Sequence, residues 1–392
     1  MTISRTTGKL LALLLFACSA FHMRVCGQDT VPGIIIDHVP AAARQYIGSP
    51  SICILPNGHY IASHDFFGPA SNEATHATTR IFESTDQGNT WHAIAAINQF
   101  WSGLFVHRGA LYIMGVRNAE GDCIIRRSKD GGHSWTEPTG SHNGLLLPAS
   151  AMVGYHTAPV PVIAAHGRIW RAMEQVKPGG PWGDFYAFML SAGNRKDLLY
   201  AGSWTTSGKL ALDKNLHKGA GWLEGNAVVA PDGNIKDLLR VHYLKKGEEK
   251  AAIINISADG KAVAFDSTSG VFDFPGGAKK FCIRYDAQTR KYWTLSNYVP
   301  AAYANDNQER VRNTLALCSS TDLVHWRVNH IILQSDNVAK HGFQYADWVF
   351  DGNDIIAVVR TAYDDATGGA DNQHNANYMI FKRVAGFRQW DK

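Results

Sequence analysis

The chain runs to 392 residues, 45% of them hydrophobic, which is ample for a large buried core. A net charge of +4, with only 18% charged residues, is too mild a basic balance to support a nucleic-acid partner. The 11 Trp and 14 Tyr suit β-sheet cores and sugar-stacking surfaces alike.

The first segment reads as an export signal over residues 1–27, leaving 28–392 as one domain. Arg5 and Lys9 carry positive charge ahead of an apolar run, Leu10 to Ala17, that is too short to span a bilayer. Leu15-Phe16-Ala17-Cys18 reads as a lipoprotein box that would anchor a lipid on Cys18, whereas Val25-Cys26-Gly27 reads as an ordinary cleavage site. Either way the protein is expected outside the cytoplasm of a bacterium, in the periplasm, on the outer surface or beyond it. No later segment reads as transmembrane. The other four cysteines, Cys53, Cys123, Cys282 and Cys318, are scattered and expected to be buried free thiols. With no Cys/His cluster and no HExxH spacing, neither a metal nor a cofactor is expected.

From Gln28 onward, short apolar runs alternate with turn signals. The runs include Ser51–Leu55, Tyr60–Ser63, Gly103–Val106, Leu111–Met114 and Ile355–Val359. The turns include Pro56-Asn57-Gly58, His107-Arg108-Gly109, Pro231-Asp232-Gly233 and Asp351-Gly352-Asn353. This pattern predicts many short strands joined by hairpins, an all-β fold. Ser84-Thr85-Asp86-Gln87-Gly88-Asn89-Thr90-Trp91 recurs 44 residues later as Ser128-Lys129-Asp130-Gly131-Gly132-His133-Ser134-Trp135. A shorter copy without the glycine is Ser320-Thr321-Asp322-Leu323-Val324-His325-Trp326. In each, Asp hydrogen-bonds its own turn and Trp packs beneath it. In the two full copies Gly supplies positive φ. The spacing suits one four-stranded propeller blade.

These repeats resemble the Asp-box of the sialidase superfamily, S-x-D-x-G-x-T-W, and imply a sialidase-like β-propeller. At roughly 45–60 residues per blade the mature chain holds six to eight blades, with seven the leading expectation and six the alternative. Sialidases hold the sugar carboxylate with three arginines, the first in an Arg-Ile-Pro motif. The matching segment here, Gln45-Tyr46-Ile47-Gly48-Ser49-Pro50, lacks that Arg, while Asp65 stands where the acid is expected.

A second resemblance is to the seven-bladed ulvan lyases and rhamnose–glucuronate lyases, carried by Tyr155-His156-Thr157-Ala158-Pro159 through Trp170-Arg171. Those enzymes centre on a Tyr and an Arg at the 16-residue spacing of Tyr155 and Arg171. The likeness implies β-elimination from an acidic, uronate-containing glycan. Arg171 would neutralise the carboxylate and Tyr155 would take the proton, with His64 as its partner. Gln45, standing where that family has a His, and Asp65, Glu224, Arg240, Arg360, His341 and Gln344 are the expected substrate contacts. Two rivals remain: an exo-glycoside hydrolase of sialidase or rhamnosidase type using Asp65 and Glu224, and a non-catalytic glycan-binding propeller.

Overall fold

The computed structural model describes residues 1–2, 30–215, 221–242 and 248–391. The signal-peptide reading and the proposed lipid site at Cys18 therefore lie outside the described residues, apart from the first two. Among the described residues there are six antiparallel sheets and no α-helix. The sheets follow one another as six blades.

Blade one holds the strands from Tyr46–Ile47 to His92–Ile97. Blade two runs from Phe100–His107 to Leu145–Leu147, and blade three from Gly154–His156 to Trp204–Thr206. Blade four runs from Gly221–Val229 to Val271–Asp273, and blade five from Cys282–Asp286 to Arg327–Gln334. Blade six joins Gly342–Asp351, Asp354–Ala362 and Tyr378–Val384 to the first strand of the chain, Ile34–His38. Ile34 pairs with Phe381 and His38 with Tyr378, so the two ends of the domain close the ring.

The expectation of seven blades gives way to six. Blades three, four and five each extend over 53 residues from first strand to last, longer than the 44-residue repeat in blades one and two suggested.

Each sheet buries both faces against its neighbours, which explains strands that are apolar on both sides. A separate apolar cluster fills every gap between consecutive blades. Trp170, Trp222, Trp293 and Trp348 are wholly buried there. Near the axis the innermost strands are tied by polar bonds. Ser51 Oγ donates to Asp347 at 2.7 Å and accepts from Leu104 N at 2.9 Å, linking blades one, two and six. Cys53, Cys123, Cys282 and Cys318 are free and buried, as expected, and burial pushes the Cys123 and Cys318 thiols up to about 12.

The repeated turns close the hairpins between third and fourth strands. Ser84 Oγ donates to Asp86 and accepts from Gly88 N, both at 2.8 Å. Asp86 accepts from Thr90 N at 2.9 Å, and Trp91 Nε1 donates to Gly88 O. The copies at Ser128 and Ser320 repeat this network. Ser257 and Asp259 make a fourth, abbreviated version in blade four. In an antiparallel meander these hairpins fall at the end of the ring where the innermost strands finish. The opposite end, where those strands begin, is free to hold a site.

Candidate functional site

At that end three innermost strands share one irregularity. Phe100 pairs with Val116 and Gly103 with Met114, Leu223 with Arg240 and Asn226 with Leu238, and Gln344 with Arg360 and Asp347 with Val358. In each, two residues oppose one, which is a β-bulge. The first extra residue takes left-handed φ in every case: Trp101 at 47°, Glu224 at 59° and Tyr345 at 55°. A non-glycine residue there costs about 1–3 kcal/mol, so the strain must be offset by surrounding bonds. The bulge re-aims the side chain, and at blades four and six it brings Glu224 and Tyr345 together.

The Tyr345 hydroxyl donates to Glu224 Oε1 at 2.7 Å. Arg240 Nη1 donates to the other Glu224 oxygen at 3.1 Å, and its Nη2 lies 3.6 Å from Glu309. Arg312 donates to Gln344 Oε1 at 2.6 Å and to Glu309 O at 2.8 Å. Arg360 lies over the Tyr345 ring, 4.9 Å from its centroid, and over Phe67 at 4.3 Å, and donates to His374 O at 2.6 Å. The three guanidiniums are buried, and the Nε atoms of Arg240 and Arg360 have no partner. Above them opens a cavity of about 240 Å³ lined by Trp182, Arg240, Glu309, Arg312, Tyr345 and His374. Trp182, 45% exposed, stands at its rim against Trp101, His156 and Phe185.

The electrostatics are those of an anion site. Burial, with Arg240 and Arg360 alongside, lowers the Arg312 guanidinium to about 9. Burial lowers Arg360 to about 10. An incoming anion relieves that repulsion. Burial and the same arginines take His374 down to about 2, so it is a neutral acceptor. Burial would raise Glu224, but Arg240, His156 and the Tyr345 hydrogen bond outweigh it and hold the carboxylate ionised. Burial and the Glu224 charge raise the Tyr345 phenol to about 12. A phenol hydrogen-bonded to an ionised carboxylate is the arrangement in which a general base can activate a nucleophile.

Asp65 lies beside this group. Its oxygens accept from Ser49 N at 2.5 Å and Trp101 N at 2.6 Å, which anchors the bulge of blade two. Burial raises it to about 6. Only glycine fits at Gly48, where a Cβ would stand 1.9 Å from Asp65 Oδ1.

Of the expected substrate contacts, Arg240 lines the cavity, while Glu224 and Arg360 stand behind it, bonded to and stacked on Tyr345. Gln344 braces Arg312 from behind. His341 stacks on Tyr363 and bonds Ser335, and Gln45 is half-buried ahead of the blade-one edge strand.

The three residues expected to be catalytic are placed elsewhere. Tyr155 is 5% exposed in the apolar cluster between blades two and three, edge-on to Phe188, and burial raises its phenol, the opposite of what a base requires. Arg171 has no exposed surface and its guanidinium is taken up by Val160 O, Ala158 O and Thr157 Oγ1. His64 is wholly buried, bonded to Asp37 at 2.8 Å and to Asp65 O, with Phe82 stacked on its ring. The site residues that sequence reasoning missed are Tyr345, Arg312, Glu309 and His374. The Glu309–Arg312 charge cluster and the parallel Leu-Glu-Gly and Gln-Tyr-Ala strand starts were the available signals.

No protein-family description and no curated protein sequence matches the chain. Solved structures do match. A protein of unknown function from Dyadobacter fermentans is 16% identical with a TM-score of 0.58, over 91% of this chain and 100% of that one. The Trypanosoma rangeli sialidase in complex with the inhibitor DANA is 14% identical with a TM-score of 0.61, over 89% of this chain and 56% of that one. The Penicillium chrysogenum alpha-L-arabinanase complexed with arabinobiose is 12% identical with a TM-score of 0.55, over 90% of this chain and 98% of that one. The chain thus has the sialidase-like β-propeller fold, here with six blades.

Proposed function

We propose that the protein is an exo-acting glycoside hydrolase that removes a terminal sugar bearing a carboxylate, with Tyr345 as nucleophile. The observation that carries this reading is the 2.7 Å hydrogen bond from Tyr345 to an ionised Glu224, set among three buried arginines. Arg312 and Arg360 bind the carboxylate of the sugar, and Arg240 holds Glu224 in place. Glu224 takes the phenol proton as Tyr345 attacks the anomeric carbon, giving a glycosyl–tyrosine intermediate that water then hydrolyses. Asp65, protonated below about pH 6, supplies the proton to the departing oxygen. A cavity of about 240 Å³ suits one sugar ring at a chain end. The structural neighbours named as a sialidase and an arabinanase support a glycan as substrate. The Arg5–Ala17 leader supports action outside the cytoplasm, on acidic glycans met there. Elimination by Tyr155 and Arg171 is less favoured, because the buried guanidinium of Arg171 already serves three protein acceptors.

The test is turnover of 4-methylumbelliferyl glycosides of N-acetylneuraminic acid, glucuronic acid and L-arabinofuranose. Release from an acidic glycoside, lost in Tyr345→Phe, is expected. Turnover of the neutral arabinofuranoside alone, or a product carrying a new ring double bond, overturns the reading.

A further inference from the structure

Resting on that hydrolytic reading, we infer that Glu174 is a positioning residue, which holds the blade-four bulge so that Glu224 faces the Tyr345 hydroxyl. Glu174 lies on the strand Arg168–Val176, fully buried and opposite His156 in register. Oε1 accepts from Gly225 N at 3.0 Å, and Oε2 from His156 Nδ1 at 2.8 Å. The bond to Gly225 is made at the residue directly after Glu224, whose left-handed φ aims the catalytic carboxylate. Gly225 is confined from the other side as well. A Cβ there would meet Asp237 Oδ1 at 2.2 Å, so the backbone is held between two carboxyl groups.

Both Asp237 oxygens lack side-chain partners, and burial with the Glu174 charge raises the Asp237 carboxyl well above its ordinary value. The Glu174 carboxyl offsets part of what burial costs the Arg171 guanidinium. Arg171 thereby acts on the site through Glu174 rather than on the sugar. Blade two shows the same device: Asp65 accepts from the N–H of Trp101, the left-handed residue of its own bulge.

The test compares Glu174→Asp, which keeps the charge but shortens the reach, with Glu174→Gln, which keeps the reach and an acceptor oxygen. The substrate is whichever acidic 4-methylumbelliferyl glycoside the wild type cleaves. Glu174→Asp is expected to lower kcat about 100-fold, with KM held within about threefold and Glu174→Gln recovering most of the loss. A second readout needs no substrate: in Glu174→Asp the Gly225 amide is expected to exchange hydrogen for deuterium faster than in wild type. Unchanged protection of that amide, a rise in KM at constant kcat, or equal loss in both variants overturns the inference. Full activity in Tyr345→Phe is a different result, and overturns the hydrolytic reading itself.

Discussion

Replacing Glu224 by Gln removes the proposed base while keeping the side chain's size. At pH 6 a phenol with a pKa of about 12 lies about six units from ionisation, ~8 kcal/mol at 1.36 kcal/mol per unit. General-base catalysis typically recovers about 10²- to 10⁴-fold of such a barrier, so kcat is expected to fall by that factor in Glu224→Gln. KM is expected to move little, because Arg312 and Arg360 do not bond Glu224. The variant should also respond to pH in a particular way. Burial and the Glu224 charge both raise the phenol, and without that charge the three arginines are opposed by burial alone, so Tyr345 ionises more readily than in wild type. Above about pH 6, where loss of the Asp65 proton makes the wild type fall, the remaining rate is then expected to hold level, because the phenolate gained offsets the acid lost. The assay is kcat against pH for both proteins on an acidic 4-methylumbelliferyl glycoside. A kcat within about threefold of wild type, or a variant that falls above pH 6 as steeply as wild type, would refute the base role of Glu224.

Five further outcomes are expected. Asp65 must be protonated to act as acid, so kcat/KM should be full below about pH 6 and fall as pH rises through it; Asp65→Asn should lower the rate and abolish that limb. The same carboxyl has a folded value above its ordinary 3.8. The stability it favours is therefore lost as pH rises from there to about 6, by about 3 kcal/mol, measurable as the Asp65-dependent part of urea unfolding across that window. Arg312→Lys loses the planar fork and should raise KM for an acidic glycoside roughly 10- to 100-fold in steady-state kinetics, with kcat nearly kept. Gly88→Ala puts a Cβ at φ 91°, 2.5 Å from the Phe381 ring, and should lower the calorimetric unfolding midpoint by several degrees, about 2 kcal/mol or more. Tyr155→Phe should turn over as wild type does in the same assay, because its phenol lies in an apolar cluster away from the cavity.

The scaffold was legible because its signals are local. Ser84, Asp86, Gly88, Thr90 and Trp91 satisfy one another within eight residues, so the turn survives as a written motif, and its recurrence reports the blade. The number of blades was less legible, because blade three carries no such marker and those of blades four and five are abbreviated. The site was only partly legible. Glu224, Arg240, Arg360 and Asp65 could be singled out as polar residues in apolar runs. Their pairing could not, since Tyr345 and Glu224 meet across 121 positions. The bulge that aims them imposes no residue type either: the same geometry is built from Phe-Trp-Ser, Leu-Glu-Gly and Gln-Tyr-Ala. Tyr155 and Arg171 misled for the converse reason. A spacing of sixteen also joins two neighbouring strands of one blade, and a buried arginine that caps three protein oxygens reads in sequence like one awaiting a ligand.

The most direct measurement is peptide mass spectrometry after incubation with a fluorinated acidic glycosyl fluoride, which forms the glycosyl–enzyme quickly and releases it slowly. A stoichiometric adduct on the Tyr345 peptide, absent in Tyr345→Phe, is the expected result. Turnover of the reagent with no adduct, or an adduct carried by Glu224 or Asp65, would contradict the assignment of the phenol as nucleophile.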